Sequence, residues 1–217
     1  VRNLISVPMF HVTGCNSQLL LTLYLGGTTV IMPTFDIKNF LHAIVDEKIN
    51  MMISVPAIFW LAMNQPNFGE FDLSSLRYLI YGGAPMAPEI IVKLRQNVPH
   101  ALLDNGFGLT ETSSVATFLP DQYCDSYPET VGFAAPVIEL DLDDVDPTSQ
   151  VGELLIRGQN VVAGYWNKPV QTGETFIDGW LRTGDRAWID DDGGVEIVDR
   201  KKDMINRGGE NVYCIEV

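Results

Sequence analysis

One alternation constrains this chain more than any other feature, and it fills the first 110 residues. Short β-branched or apolar runs ("VRNLIS", "TTVIM", "MMISV", "LRYLIYGG", "ALLDNGFG") are separated by segments of helical length. Ile37, Phe40, Leu41, Ile44 and Val45 recur at helical spacing after Asp36, the apolar stripe of an amphipathic helix. "PAIFWLAMNQ" carries Pro56 at its first turn, and "PEIIVKLRQNV" repeats the arrangement. Residues 15–27 ("CNSQLLLTLYLGG") predict a buried helix closed by Gly26-Gly27, glycine being the common left-handed cap. Strands joined through helices of this length connect by right-handed crossovers into a largely parallel sheet.

After about residue 130 the period changes. "IELDL", "GELLIRG", "DRAWID" and "VEIVD" alternate with period two between Gly- and Asp-rich turns, and "IDDDGGVEIV" reads as a hairpin. The expected fold class is therefore α/β: part of a parallel α/β large domain over residues 1–130, then a small antiparallel β subdomain over 131–198. The chain opens on a strand in progress and closes mid-element in "NVYCIEV", so a fragment is expected.

Charge removes one class of partner. With 28 acidic and 14 basic residues the net charge is −14, which excludes the cationic footprint that nucleic acid requires. An anionic ligand would need local cations, helix N-termini or a metal to overcome that field. Cys15, Cys124 and Cys214 are widely spaced, without a C-x-x-C pair, so a disulfide framework or structural zinc is not expected and a reducing, cytoplasmic setting is. No run of 18 apolar residues spans a membrane, which leaves peripheral membrane contact open. The acidic run "DLDDVD" (141–146) fails EF-hand spacing, since Val145 and Pro147 stand where a ligand and the turn glycine belong.

Two glycine-rich stretches fall where a parallel sheet presents ligands, the C-terminal ends of strands. They are "YGGAPM" (81–86) and "NGFGLTE" (105–111). Gly106 and Gly108 begin a dinucleotide fingerprint, but Glu111 occupies its third glycine position, where a small residue is needed. Other chemistry must want that carboxylate. Phe107 can stack on a purine, Thr110 can offer a hydroxyl to phosphate, and Glu111 is a hard oxygen ligand for Mg²⁺. Tight loops with a helix-capping Thr-Glu pair are the bland alternative. Further on, Asp185 in "WLRTGD", placed at a strand start, could accept hydrogen bonds from a ribose diol. Arg200 in "DRKKD" could bind the same sugar or a phosphate. Each taken singly also fits a surface ion pair.

Taken together, "PMFHVTG", "YGGAPM", "NGFGLTE", "GELLIRG", "GYWNKP", "DGWLRTGD" and "DRKKDMINRGGENVY" resemble the AMP-binding, adenylate-forming superfamily in content and order, with acyl- and aryl-CoA synthetases the nearest likeness. The resemblance covers essentially the whole chain. It implies that Gly82, Gly83 and Ala84 form the loop between adenine and acyl group. Asn105 would lie near the adenine amine with Gly106 beside it, and Phe107 against the ring. Thr110 would contact phosphate, Glu111 associate with Mg²⁺, and Asp185 and Arg200 bind the ribose. Lys202 would be the hinge to a C-terminal small domain beginning within 199–217, and Gly208 and Gly209 would approach the thiol acceptor. His11 matches the aromatic or His residue bordering the carboxylate pocket, with Val12, Cys15, Ser54, Val55 and the 112–117 segment as further lining. Relatives that activate amino acids carry an Asp near "PMFHVTG"; none is present, so a simple fatty or aryl acid is expected.

The reaction implied uses a carboxylic acid, ATP with Mg²⁺, and CoA. It forms an acyl-adenylate and pyrophosphate, then a thioester. Two family features lie outside these 217 residues, the phosphate loop before "PMFH" and the late small-domain lysine, so the isolated chain is expected to be nearly inactive. Alternatives are transfer to a carrier-protein phosphopantetheine or, in luciferase-type relatives, to oxygen, and a non-catalytic acyl- or nucleotide-binding module.

Overall fold

The computed structural model describes residues 1–127, 129–200, 205–207 and 210–212. Lys202, Gly208 and Gly209 lie outside the described residues.

The alternation builds a seven-stranded sheet. Its strands are β1 (Arg2–Ile5), β2 (Thr28–Ile31), β3 (Met51–Ser54), β4 (Tyr78–Gly82), β5 (Leu102–Leu109), β6 (Ser114–Leu119) and β7 (Phe133–Ala134). The spatial order is β2-β1-β3-β4-β5-β6-β7. The first five strands are mutually parallel and the last two antiparallel. A one-turn α1 (Leu21–Tyr24) follows β1, and α2 (Ile37–Asp46), α3 (Pro56–Met63) and α4 (Pro88–Asn97) supply the crossovers. Phe40, Leu41 and Ile44 of α2, Phe59 of α3 and Leu94 of α4 bury against Leu4, Met52, Leu79 and Leu103 of the strands. Burying each such side chain contributes about 1.5–3 kcal/mol before ordering entropy is counted.

Helix α2 starts where the sequence says it should, because Asp36 caps it: its Oδ1 accepts from the Asn39 N–H at 2.9 Å. Asp36→Ala removes that acceptor and is expected to lower the unfolding free energy by about 1 kcal/mol. Chemical denaturation measures this, and an unchanged midpoint would refute the cap's contribution.

A second, five-stranded sheet contains β8 (Ile138–Asp143), β9 (Gly152–Gly158), β10 (Phe176–Ile177), β11 (Trp180–Ile189) and β12 (Val195–Arg200). Strands β11 and β12 form the anticipated hairpin, turned by Gly193 at φ +85°. The core of this sheet, Leu154, Ile156, Leu181, Ala187 and Val195, is shared with Ala116 of β6 and packs against Phe107 and Leu109 of β5. The two sheets therefore meet at the "NGFGLTE" end of β5. The expected division at residue 130 falls just before β7, which still belongs to the first sheet. A short pair, β13 (Ile205–Arg207) and β14 (Glu210–Val212), follows.

Three local expectations are corrected. The segment 15–27 is helical but not buried. It begins as a π-helix over Thr13–Leu20 before α1, and Leu20, Leu23, Tyr24 and Leu25 are exposed. Gln18 and Thr22 face inward instead; an almost unbroken apolar run carries no period from which its inner face can be read. The chain does turn at Gly26, with φ +65°. Next, "NGFG" is not a loop, because β5 continues in ladder through Leu109. Last, Asp185 is not at a strand start. It stands inside the ten-residue β11, where the register with β9 shifts between Arg182 and Arg186.

Candidate active site

Ser54, Tyr81 and Asn105 are register partners, at the C-terminal ends of β3 and β4 and midway along β5, and Gly82 pairs with Gly106. Ser54, Gly82, Asn105 and Gly106 are thus brought to one edge by the parallel ladder alone. The bare backbone there serves strand approach: a Cβ on Gly82 would lie 2.0 Å from the Gly106 carbonyl oxygen. Gly83 turns away at φ +75°, within reach of Val55 Cγ1, and Ala84 is exposed beside it. Asn105 directs its amide to the Thr130 carbonyl at 3.4 Å. Phe107 is half-buried against the second core.

Beyond β5 the chain makes a single 3₁₀ turn, Thr110–Thr112. It is not a helix-capping Thr-Glu pair. The hydroxyl that closes the turn is that of Thr112, which accepts from the Leu109 N–H at 2.9 Å and lies 3.0 Å from the Leu109 carbonyl. Thr110 is exposed; its carbonyl accepts from the Ser113 N–H at 3.1 Å, and its hydroxyl makes no hydrogen bond to the described residues. The turn ends on two non-glycine residues in the left-handed half of backbone space, Ser113 at φ 55° and Ser114 at φ 137°. Such conformations cost of order 1–3 kcal/mol each and gather at functional sites.

This turn is tied to the π-helix. Asn16 donates to the Ser113 carbonyl at 3.0 Å, and the Ser17 and Ser114 hydroxyls are hydrogen-bonded. Val12 and Cys15, at the start of that helix, are both half-buried. π-Helical turns are rare and frequent at functional sites. His11 precedes the helix and is exposed; its Nδ1 accepts from the Thr13 N–H at 3.2 Å. The Ser54 hydroxyl and the Gln18 amide are buried with no hydrogen-bond partner among the described residues, an arrangement that calls for an explanation in a folded protein.

Across from Glu111, the bulge of β11 is held by a buried carboxylate. Glu153 accepts from Arg182 Nη2 at 2.7 Å and from the Gly184 N–H at 3.3 Å. Thr183 Oγ1 donates to the Leu154 carbonyl at 2.7 Å and accepts from the Asp185 N–H at 3.1 Å. Asp185 is 3% exposed, and its backbone is in register with Arg200 of β12. Between the two walls is a cleft of about 220 Å³, lined by Leu109, Glu111, Tyr165, Arg182, Thr183 and Gly184.

Arg182 also bonds Asp143 at 2.6 Å. Hydrogen bonds to Asp143 and then Glu153 hold its guanidinium above its ordinary pKa. Its charge is thus already shared by two carboxylates, which leaves little for a polyphosphate. The donor set suits a hard divalent ion that arrives with phosphates and takes one protein carboxylate, as Mg²⁺ commonly does. Among the described residues no cluster of three or more His, Cys, Asp or Glu offers a complete cage. Glu111 fits the simpler role.

Three residues of this site escaped the sequence reading. Glu153 and Asn160 are ordinary polar residues in strand and loop, and only the fold reveals their partners. Tyr165 sat in a motif noticed for its order, "GYWNKP". Its hydroxyl donates to Glu111 Oε1 at 2.6 Å across 54 positions. Burial, then the Glu111 hydrogen bond, raises the phenol's pKa, so it remains a donor at neutral pH.

A family profile described as "AMP-binding enzyme" matches residues 2–166. Among curated relatives, a feruloyl-CoA synthase of Amycolatopsis sp is 33% identical over 220 residues, covering 100% of this chain and 44% of the relative. A long-chain-fatty-acid–CoA ligase, FadD13 of Mycobacterium tuberculosis, is 36% identical over 221 residues, covering 100% and 43%. Among solved structures, the o-succinylbenzoate CoA synthetase MenE of Bacillus subtilis, in complex with ATP and magnesium ion, superposes with a TM-score of 0.88 at 27% identity, covering 100% of this chain and 45% of that one. The chain thus spans less than half the length of these relatives.

Proposed function

This chain belongs to the AMP-binding enzyme family, and from that premise we propose that the protein containing it activates a carboxylic acid with ATP and passes the acyl group to CoA. One observation carries the reading: the cleft has Glu111 on one wall and Thr183 and Gly184, next to Asp185, on the other. A nucleotide lying across it would meet a carboxylate suited to a metal at its phosphates and another suited to a diol at its ribose.

In this reading a carboxylate oxygen bonds to the α-phosphorus as the bond to the pyrophosphate oxygen breaks. The thiolate of CoA then attacks the acyl carbon and AMP departs with the electron pair. Mg²⁺, when bound, would neutralise charge on the polyphosphate. The chain's own part is positioning, which supplies most of the catalysis in such transfers. Thr110 is exposed, and its hydroxyl, without a hydrogen bond to the described residues, is offered to a phosphate. Glu111 holds the ion, and Asp185 with Arg200 the ribose. Gly82, Gly83, Ala84, Asn105, Gly106 and Phe107 border the base. His11, Val12, Cys15, Ser54 and Val55 surround the acyl group, where the unpartnered Ser54 hydroxyl could meet a substrate oxygen. Lys202 is assigned the hinge, and Gly208 and Gly209 the approach to the thiol. Relatives named for a feruloyl and for a long-chain fatty substrate stand at similar identity, so the acid is assigned only as a simple aryl or fatty acid.

The test is acid-dependent exchange of pyrophosphate into ATP by the full-length protein, followed by thioester formation. The expected result is exchange that needs an added fatty or aryl acid and no CoA, with thioester appearing only when free CoA is supplied. Exchange without thioester would redirect the acceptor to a carrier protein; absence of exchange across an acid panel would refute the activation step.

A further inference from the structure

Residues 160–165 close over the Thr110–Ser114 turn and fasten it at several points. Val162 donates its backbone N–H to the Glu111 carbonyl at 2.8 Å, which fixes the backbone of residue 111. Asn160 Nδ2 donates to the Thr112 carbonyl at 2.8 Å and lies 3.2 Å from that of Val115. The Tyr165 hydroxyl donates to Glu111 Oε1 at 2.6 Å. Glu111 Oε2 is left without a hydrogen bond to the described residues, on the wall of the cleft.

The tyrosine is itself held rigidly. Its backbone N–H donates to Thr172 Oγ1 at 2.9 Å, and its ring meets the Phe176 ring edge-on with centroids 5.5 Å apart. Gly164 before it has φ +147°, and a Cβ there would lie 2.4 Å from Thr172 Cγ2. The Gly-Tyr pair of "GYWNKP" is thus built to deliver one hydroxyl to one carboxylate.

We infer that Tyr165 is a positioning residue for the metal-associated carboxylate: by occupying Oε1 it fixes the rotamer of Glu111 and presents Oε2 to the ion carried by a nucleoside triphosphate. This rests on the nucleotide reading of the cleft. A flexible Glu would have to surrender side-chain freedom on binding, and a pre-formed hydrogen bond removes part of that cost. The conservative change Tyr165→Phe keeps the ring against Phe176 and the backbone bond to Thr172, and deletes the hydroxyl with its bond to Glu111 and its contact with Thr175.

The experiment is equilibrium binding of Mg·ATP, of ATP without Mg²⁺ and of AMP to the full-length protein, for wild type, Y165F, E111Q and the double variant. Y165F is expected to weaken Mg·ATP about 3- to 10-fold, the range of an ordinary net hydrogen bond, because the hydroxyl positions the carboxylate and does not touch the ligand, and to leave AMP within about twofold. The double variant should bind Mg·ATP no worse than E111Q, because without the carboxylate the hydroxyl has nothing to position. Equal weakening of AMP and Mg·ATP in Y165F would make the residue merely structural. Unchanged Mg·ATP affinity, or losses that add in the double variant, would overturn the inference. A folded full-length wild-type protein that binds no nucleotide overturns the cleft reading itself. In that case a thermal-melting cycle over the same variants decides the contact separately: non-additive shifts keep the Tyr165–Glu111 coupling, additive ones remove it.

Discussion

Gly108→Ala is expected to destabilise the fold by about 3 kcal/mol or more, while Gly106→Ala, two residues earlier on the same strand, is expected to cost less than about 1 kcal/mol. A Cβ on Gly108 would lie 1.7 Å from the Ser114 carbonyl oxygen and 2.6 Å from its carbon, both backbone of the partner strand. No side chain can rotate away to make room, so β6 must move. It meets β5 there at an irregularity, since the register shifts between Phe107 and Gly108. Ser113 and Ser114 already hold left-handed backbone angles beside it, so the strained turn carrying Glu111 would absorb the displacement. At Gly106 the nearest heavy atom would be 3.8 Å away, ordinary contact distance. Urea denaturation of the two variants and the parent measures the difference. Equal midpoints for G106A and G108A would show that the close approach of β6 does not govern this glycine.

That contrast bears on what could be read beforehand. "NGFG" suggests a loop shaped for a ligand, and the suggestion came from composition: glycines cluster in loops. In the structure the second glycine answers to a neighbouring strand, one that the helix-and-strand alternation gave no reason to expect, because β6 runs antiparallel after five parallel strands. Elements whose determinants are local were legible. Asp36 caps α2, Gly26 turns out of α1, and the Asp-Gly-Gly turn joins β11 to β12, each through contacts within a few residues. Facing and register are non-local. Which side of "LLLTLYL" points inward depends on Gln18 and Thr22 finding the sheet, and the bulge that shapes the Asp185 wall depends on Glu153, 32 residues upstream.

The candidate site divides along the same line. Thr110, Glu111 and Asp185 belong to short motifs whose order along the chain carries a family resemblance, so they could be named as candidates from residues alone. What could not be read is how the walls of the cleft are held. Tyr165, Asn160 and Asn16 each act on the Glu111 turn from 48 to 97 positions away and have no spacing rule in common. Their residue types are unremarkable in loops, and only the packing of the second sheet against β5 brings them into range.

Asp185→Ala is expected to weaken binding of both AMP and Mg·ATP by about 10- to 100-fold, equivalent to about 1.4–2.8 kcal/mol. The expectation follows from the proposed ribose contact, since charge-assisted hydrogen bonds to a diol contribute about 1.5–3 kcal/mol. Because the ribose is common to both ligands, the loss should be the same for each. Glu111→Gln should differ from it by sparing AMP, which carries no polyphosphate for the ion. Asp185 is buried within a bulge stitched by Thr183 and Glu153, so its removal can also disturb the strand. Asp185→Asn supplies the control, keeping size and one acceptor while removing the charge, and is expected to fall between alanine and wild type. Melting curves of all three variants establish that they remain folded at the titration temperature. A folded Asp185→Ala chain with wild-type affinity for AMP would remove the ribose from this wall of the cleft. The sugar would then have to be sought against the opposite wall, around Thr110 and the end of β5, and the orientation of nucleotide assumed for Glu111 would reverse with it.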